Sequence, residues 1–98
     1  MARVVVAELA KRDVRRILSD LHERAGLRVA TRYATAFKMA YRRLAAIPAA
    51  GPPRPALGPL ARIAIVPPYI IVYDYAGDEV MVLRILHGKR NITRNLVR

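Results

Sequence analysis

His87 ends the apolar run Val82-Leu-Arg-Ile-Leu86 and is followed by Gly88, Lys89 and Arg90. An imidazole beside two cations can move a proton and steady a phosphate, so this stretch is the first candidate for chemistry. Cutting a phosphodiester asks for more: a second proton carrier, and cations placed around the scissile group. The only other histidine, His22, falls on the exposed side of a helical pattern. The carboxylates nearest His87 in sequence, Asp74, Asp78 and Glu79, belong to the far end of the hairpin that His87 closes. His87 is therefore expected to bond or to support structure, and not to shuttle protons. Elsewhere there is no carboxylate pair, no Ser/His/Asp set, no phosphate-cradling glycine loop and no metal cluster. The absence of cysteine excludes disulfides, thiolate nucleophiles and thiolate metal sites. No cofactor is expected.

Charge is what this chain has in excess. Its 98 residues carry 18 Lys and Arg against 7 Asp and Glu, a net charge of +11. No acid occurs between Arg24 and Asp74, nor after Glu79. Such a surface attracts polyanions, so nucleic acid or an acidic protein segment is an expected neighbour. With 54% hydrophobic and 26% charged residues, the chain is globular, and its length predicts one domain over residues 1–98. The opening stretch MARVVVAELAKRD is too short in apolar residues for a secretory signal or for a membrane span of roughly 20 residues. A cytoplasmic protein with no membrane partner is expected.

The elements that must position His87 and the cations follow from hydrophobic period. Arg3-Val-Val-Val-Ala7 is β-branched and reads as a strand. From Glu8 the period becomes helical, with Ala10, Val14, Ile17, Leu18 and Leu21 on one face, and Gly26 suits the stop. A second helix is predicted from Leu27 to Ile47, its inward stripe being Tyr33, Phe37, Ala40, Tyr41 and Leu44, and Pro48 ends it. The short break at Gly26 folds the two into an antiparallel hairpin. After the stiff loop Ala49 to Pro55 come three strand-like runs, Leu60–Val66, Tyr69–Tyr75 and Glu79–Leu86, joined by short turns. The predicted class is α+β, in the order β-α-α-β-β-β: an N-terminal strand, a helical hairpin on an antiparallel sheet, and a short basic tail. The strand runs are apolar on nearly both faces. Either the second face is a binding surface, or residues 91–98 fold over it.

Several pieces taken together carry a resemblance. They are Pro68-Tyr-Ile-Ile-Val-Tyr73, then Gly77-Asp78, then the hairpin ending His87-Gly-Lys-Arg90, with Ala10-x-x-Asp13-Val14-x-x-Ile17 and Leu44-x-x-Ile-Pro48 in the helices. In order and spacing this resembles the ParE/RelE superfamily of small bacterial toxins from toxin–antitoxin operons, and within it the ParE branch. The resemblance covers almost the whole chain.

Two activities are implied by the superfamily. RelE-like members cut mRNA on the ribosome with a Lys-x-Lys pair, an Arg after the hairpin tyrosine, the Arg of a Gly-Lys-Arg turn, and a Tyr six residues later. Aligning the hairpin tyrosine to Tyr69 puts Ala61 and Ile63 at the lysine positions, Ile70 at the first arginine and Leu96 at the last tyrosine. Only Arg90 survives. Arg62 lies beside the pair, but strand alternation points it to the other face. ParE-like members are implied to stabilise the cleaved-DNA state of DNA gyrase, which needs a docking surface and no turnover. The expected target surface is Lys89, Arg90, Arg94 and Arg98, with His87, Arg62 and Arg84 as neighbours. A ParD-like antitoxin is the second implied partner. Its acidic amphipathic segment, with an added strand, is expected to meet Arg12, Arg16, Arg28, Arg32 and Arg42 with its carboxylates and to cover the exposed sheet or the groove between the helices with its apolar residues. Operator DNA would be reached only through that antitoxin. An RNA-cleaving relative with relocated cations, and a plain basic nucleic-acid-binding module, stay open as alternatives.

Overall fold

The computed structural model describes residues 1–98. Strand β1 (Arg3–Val6) leads into helix α1 (Glu8–Ala25), and α2 (Leu27–Ala46) folds back along it. Between them Gly26 adopts φ 90°, a left-handed backbone open to glycine, and its N–H caps the His22 carbonyl. A 3₁₀ turn (Pro55–Leu57) precedes β2 (Ala61–Val66), β3 (Tyr69–Ala76) and β4 (Glu79–His87), and a one-turn helix α3 (Arg94–Val97) ends the chain. The Pro67–Pro68 peptide in the β2–β3 turn is cis.

The sheet order is β1-β4-β3-β2. The three C-terminal strands form the antiparallel meander read from the sequence, whereas β1 joins β4 in parallel, Arg3 facing Glu79 and Val6 facing Val82. Hydrophobic period reports which face of a strand is buried and is silent on its direction, so only the parallel register was hidden. Arg3 and Glu79 also form an ion pair at the start of this ladder.

One face of the sheet meets the helical hairpin. Phe37 and Leu44 from α2 and Ala10 from α1 pack on Ile71, Tyr73, Val80, Val82 and Ile85. The other face is covered by the chain itself: Val97 of α3 and Leu57 of the 3₁₀ turn close over Ala61, Ile63 and Val72, with Ile70, Leu83 and Ile92 at the margin. Of the two fates open to that apolar face, the tail takes it.

What pins the tail is a carboxylate on the opposite side of the molecule. Asp13 of α1 is 3% exposed. Strand β1 ends at Val6 and leaves the outer edge of β4 unpaired beyond Val82, so the Ile85 N–H needs an acceptor, and Asp13 Oδ2 supplies it at 2.9 Å. Here β4 carries a bulge: Val72 faces Arg84 and Tyr73 faces Val82, so Leu83 is the extra residue. Arg84 then donates from Nε and Nη2 to the two oxygens of Asp13, at 2.8 and 3.1 Å, and from Nη1 to the Leu96 carbonyl of α3 at 2.7 Å. Arg16 adds a longer bond to Asp13 at 3.3 Å. Removing one member of a buried pair strands the other, at a cost of about 3 kcal/mol. Asp13→Ala is therefore expected to lower unfolding stability by about that amount. In hydrogen exchange it should also loosen the Leu96–Arg98 segment ahead of the rest of the fold.

Tyr41 is the one buried polar side chain without a bonding partner: its hydroxyl is shut from solvent and unpaired. Burial, with the Asp13 charge adding, pushes its phenol from 10.0 up to about 12. The folded state thus holds this proton more tightly than the unfolded chain, and stability falls as pH rises between those two values. Tyr41→Phe is expected to raise stability at neutral pH by about 1 kcal/mol, since it removes an unsatisfied hydroxyl. It should also flatten the alkaline slope measured by urea denaturation at several pH values.

Candidate partner-binding surfaces

The sequence-derived target cluster divides once it is folded. Arg84 is held by Asp13 and Leu96, as described. Arg98 makes a bidentate pair with Asp74 at 2.6 and 2.8 Å and donates Nε to the Leu57 carbonyl at 2.9 Å. Arg62 reaches from β2 to the Gly51 and Ala49 carbonyls at 2.8 and 3.2 Å. These three guanidiniums are engaged within the fold by its own carbonyls and carboxylates. Lys89, Arg90 and Arg94 are exposed and enter no ion pair within the chain. They follow His87 on the turn and tail beyond β4.

His87 itself is half-buried and contacts the Tyr69 ring edge-on, centroids 5.8 Å apart. Its Nδ1 accepts the Lys89 N–H at 3.1 Å. No carboxylate or second imidazole bonds to it. The positions aligned with the nuclease groups are apolar in space as in sequence: Ala61 and Ile63 are buried beneath the tail, and Ile70 and Leu96 are half-buried. Cations do not converge around His87. Burial raises the Tyr69 phenol above its ordinary range, with Tyr33 packed against it.

A different feature stands out on the far edge of the sheet. Tyr75 donates its N–H to the Leu60 carbonyl, so Arg62, Ala64 and Val66 bond to β3 while Ala61, Ile63 and Ile65 turn their backbone groups outward. The proline-rich loop covers the first half of that edge: the Arg54 N–H bonds the Ala61 carbonyl at 2.8 Å and the Ile63 N–H bonds Pro52 at 3.1 Å. Prolines suit this task, as they cannot pass the ladder on. The second half, at Ile65, is uncovered, and Ile65 is 63% exposed. Beside it runs a groove of about 660 Å³ between α2 and β2, lined by Ala36, Met39, Ala40, Ile65 and Pro67 among others, with Arg43 its only charged residue.

The loop wall of this groove is locked from beneath. The fully buried Tyr73 hydroxyl donates to the Pro48 carbonyl at 2.7 Å and accepts the Gly51 N–H at 3.1 Å. Gly51 lies so close to β2 that a Cβ there would collide with the Ile63 carbonyl. The helical arginines singled out from the sequence do not line this groove. Arg28, Arg32 and Arg42 are exposed on α2, in one stripe with Met39, which is 57% exposed. Arg12 and Arg16 are exposed on α1, Arg16 leaning back to Asp13. Sequence reasoning found these arginines but not the groove. The signal was there in Met39 and Ile65, apolar residues at outward positions of their own patterns.

Comparison with known proteins matches this arrangement to one family. Residues 4–92 match the family described as the ParE toxin of the type II toxin–antitoxin system parDE. The chain belongs to the ParE toxin family. Toxin ParE3 of Caulobacter vibrioides is 32% identical over 96 residues, covering 98% of this chain and 96% of that protein. A solved structure described as the chromosomal ParDE toxin–antitoxin system from P. aeruginosa superposes with a TM-score of 0.75 at 20% identity, over 89% of this chain and 96% of that one, so the fold is shared. No helix of this ParE-family chain is long and apolar enough to cross a membrane.

If Tyr73 holds the groove wall, Tyr73→Phe should cost 1–3 kcal/mol, roughly what stranding a buried donor and acceptor costs. Amide exchange should then speed up at Gly51 and Ile63 before it does in β3 or β4.

Proposed function

We propose that this ParE-family toxin inhibits DNA gyrase by stabilising its cleaved-DNA complex, and that a ParD-like antitoxin neutralises it. The observation that carries the inhibitor reading is the isolation of Arg90. Of the groups a phosphodiester-cutting relative would need, it alone is present, and aliphatic side chains occupy the other positions. One guanidinium can steady a phosphate but cannot also activate the nucleophile and protonate the leaving oxygen. What such a chain can do is bind one state of a target better than another, which is all that inhibition of this kind demands. Lys89, Arg90 and Arg94, free of internal partners, are the groups offered to that target, in the cytoplasm where gyrase works.

For the antitoxin, two features support the reading. An acidic amphipathic helix suits the cations Arg12, Arg16, Arg28, Arg32 and Arg42, and an extended apolar segment suits the groove at Met39 and Ile65, where a backbone edge is open. Contact with operator DNA is then left to the antitoxin.

Purified gyrase with supercoiled plasmid tests both halves. The wild-type chain is expected to accumulate cleaved DNA and halt supercoiling, and Lys89→Ala with Arg90→Ala to weaken this by about tenfold or more, since two charge-assisted contacts are lost together. Ile65→Lys should stay fully active on gyrase yet escape the antitoxin. Unchanged supercoiling together with mRNA cut in ribosomal A sites would replace this reading by the nuclease one.

A further inference from the structure

The tautomer of His87 is set by its own turn. Because Nδ1 accepts the Lys89 N–H, that nitrogen carries no proton, and the neutral ring presents its hydrogen on Nε2. The imidazole is thereby a donor of fixed direction. Tyr69 stands edge-on to it, and Tyr33 stands edge-on to Tyr69 with centroids 5.6 Å apart, making a row of three half-buried rings at one pole of the sheet. The turn beside the row is held still: Gly88 N–H bonds the Pro68 carbonyl at 2.8 Å, and Arg90 N–H bonds the His87 carbonyl at 3.0 Å. Lys89 and Arg90 project from it without counterions. From α1, Tyr69 feels one charge of each sign, Asp20 and Arg24, so the local positive excess is that of the turn.

We infer that this pole, the rings of Tyr69 and His87 with Lys89 and Arg90, is a contact for single-stranded DNA, taking its phosphodiester backbone on the cations and one unstacked base on the rings. The inference rests on the gyrase reading and narrows it: the turn touches the DNA of the cleaved complex and not the gyrase polypeptide. Aromatic surfaces beside fixed cations are the combination that holds single strands, since every base has a stacking face and every linkage a charge. An acidic peptide would instead seek a backbone edge and an apolar trough. This molecule offers those elsewhere, along β2.

Fluorescence anisotropy of the full chain with a labelled duplex, one of its strands, and RNA of the same sequence tests it. The single DNA strand should bind tightest. Lys89→Ala and Arg90→Ala should each weaken it several-fold and reduce the slope of log affinity against log salt by about one. His87→Ala should weaken binding without changing that slope, and His87→Gln, which keeps an N–H donor, should recover part of the loss. Arg54→Ala, an equal change of charge on the proline loop, should leave affinity within about twofold, the spread of a diffuse electrostatic effect. Equal losses from Arg54→Ala and Arg90→Ala, or no loss from His87→Ala, would reduce the pole to diffuse charge and overturn the inference. So would tighter binding to RNA, or displacement by polyglutamate at equal charge. Gyrase cleavage is scored separately on the same variants. Lost DNA affinity with undiminished cleaved complex sinks the inference and spares the gyrase reading, whereas a wild-type chain that binds DNA but traps no cleaved complex sinks the gyrase reading, and with it the placing of this contact in the cleaved complex.

Discussion

The fold depends on one carboxylate reaching a place where the sheet runs out of partners. Strand β1 covers only the first part of β4, and a bare strand edge buried against a helix would leave its amide groups unpaired. Asp13 answers that need by accepting the Ile85 N–H, which brings a negative charge into the interior, and Arg84 then follows it in. The hydrogen bonds to Asp13 hold the Arg84 guanidinium even more firmly protonated than usual, outweighing the opposing effect of burial. Since Arg84 has a donor left over, the same pair catches the Leu96 carbonyl and fastens the tail across the opposite face. A defect in pairing at one edge thus becomes the tie between helix, sheet and tail.

Cations in this molecule therefore fall into two groups that composition cannot separate. Arg62, Arg84 and Arg98 answer to carbonyls and carboxylates of the chain and shape its surfaces from within. Lys89, Arg90 and Arg94 answer to nothing in the chain. The net charge of +11 is accordingly concentrated, for any partner, on the helical face and on the turn after β4. These two surfaces differ in kind. One adjoins an apolar groove and an open backbone edge, the other a row of aromatic edges.

Much of this was readable from residue order. The helical stripe through Phe37 and Leu44, the stops at Gly26 and Pro48, and the three strands with their turns are local patterns, and each formed where its period placed it. The helix boundary differed by one residue, Ile47 serving as the cap. Long-range matters were not readable. Asp13 sits in the family pattern Ala10-x-x-Asp13, but nothing around it says that its partner is Arg84, 71 residues away. The fates of Arg62 and Arg98 were hidden for the same reason: a guanidinium at the end of a flexible stem can serve solvent or a distant carbonyl, and only the fold decides. Tyr73 read as one more aromatic of a strand until its hydroxyl was found between Pro48 and Gly51.

The parallel pairing of β1 with β4 bears on how the chain comes into being. Its first strand must wait for a partner that begins at Glu79, and synthesis proceeds from the amino end. The helical hairpin can form early from local contacts, but the apolar stripe on it has no sheet to rest on until most of the chain has left the ribosome. The nascent chain thus carries an uncovered apolar stripe for most of its translation, until β4 is available to both β1 and the helices.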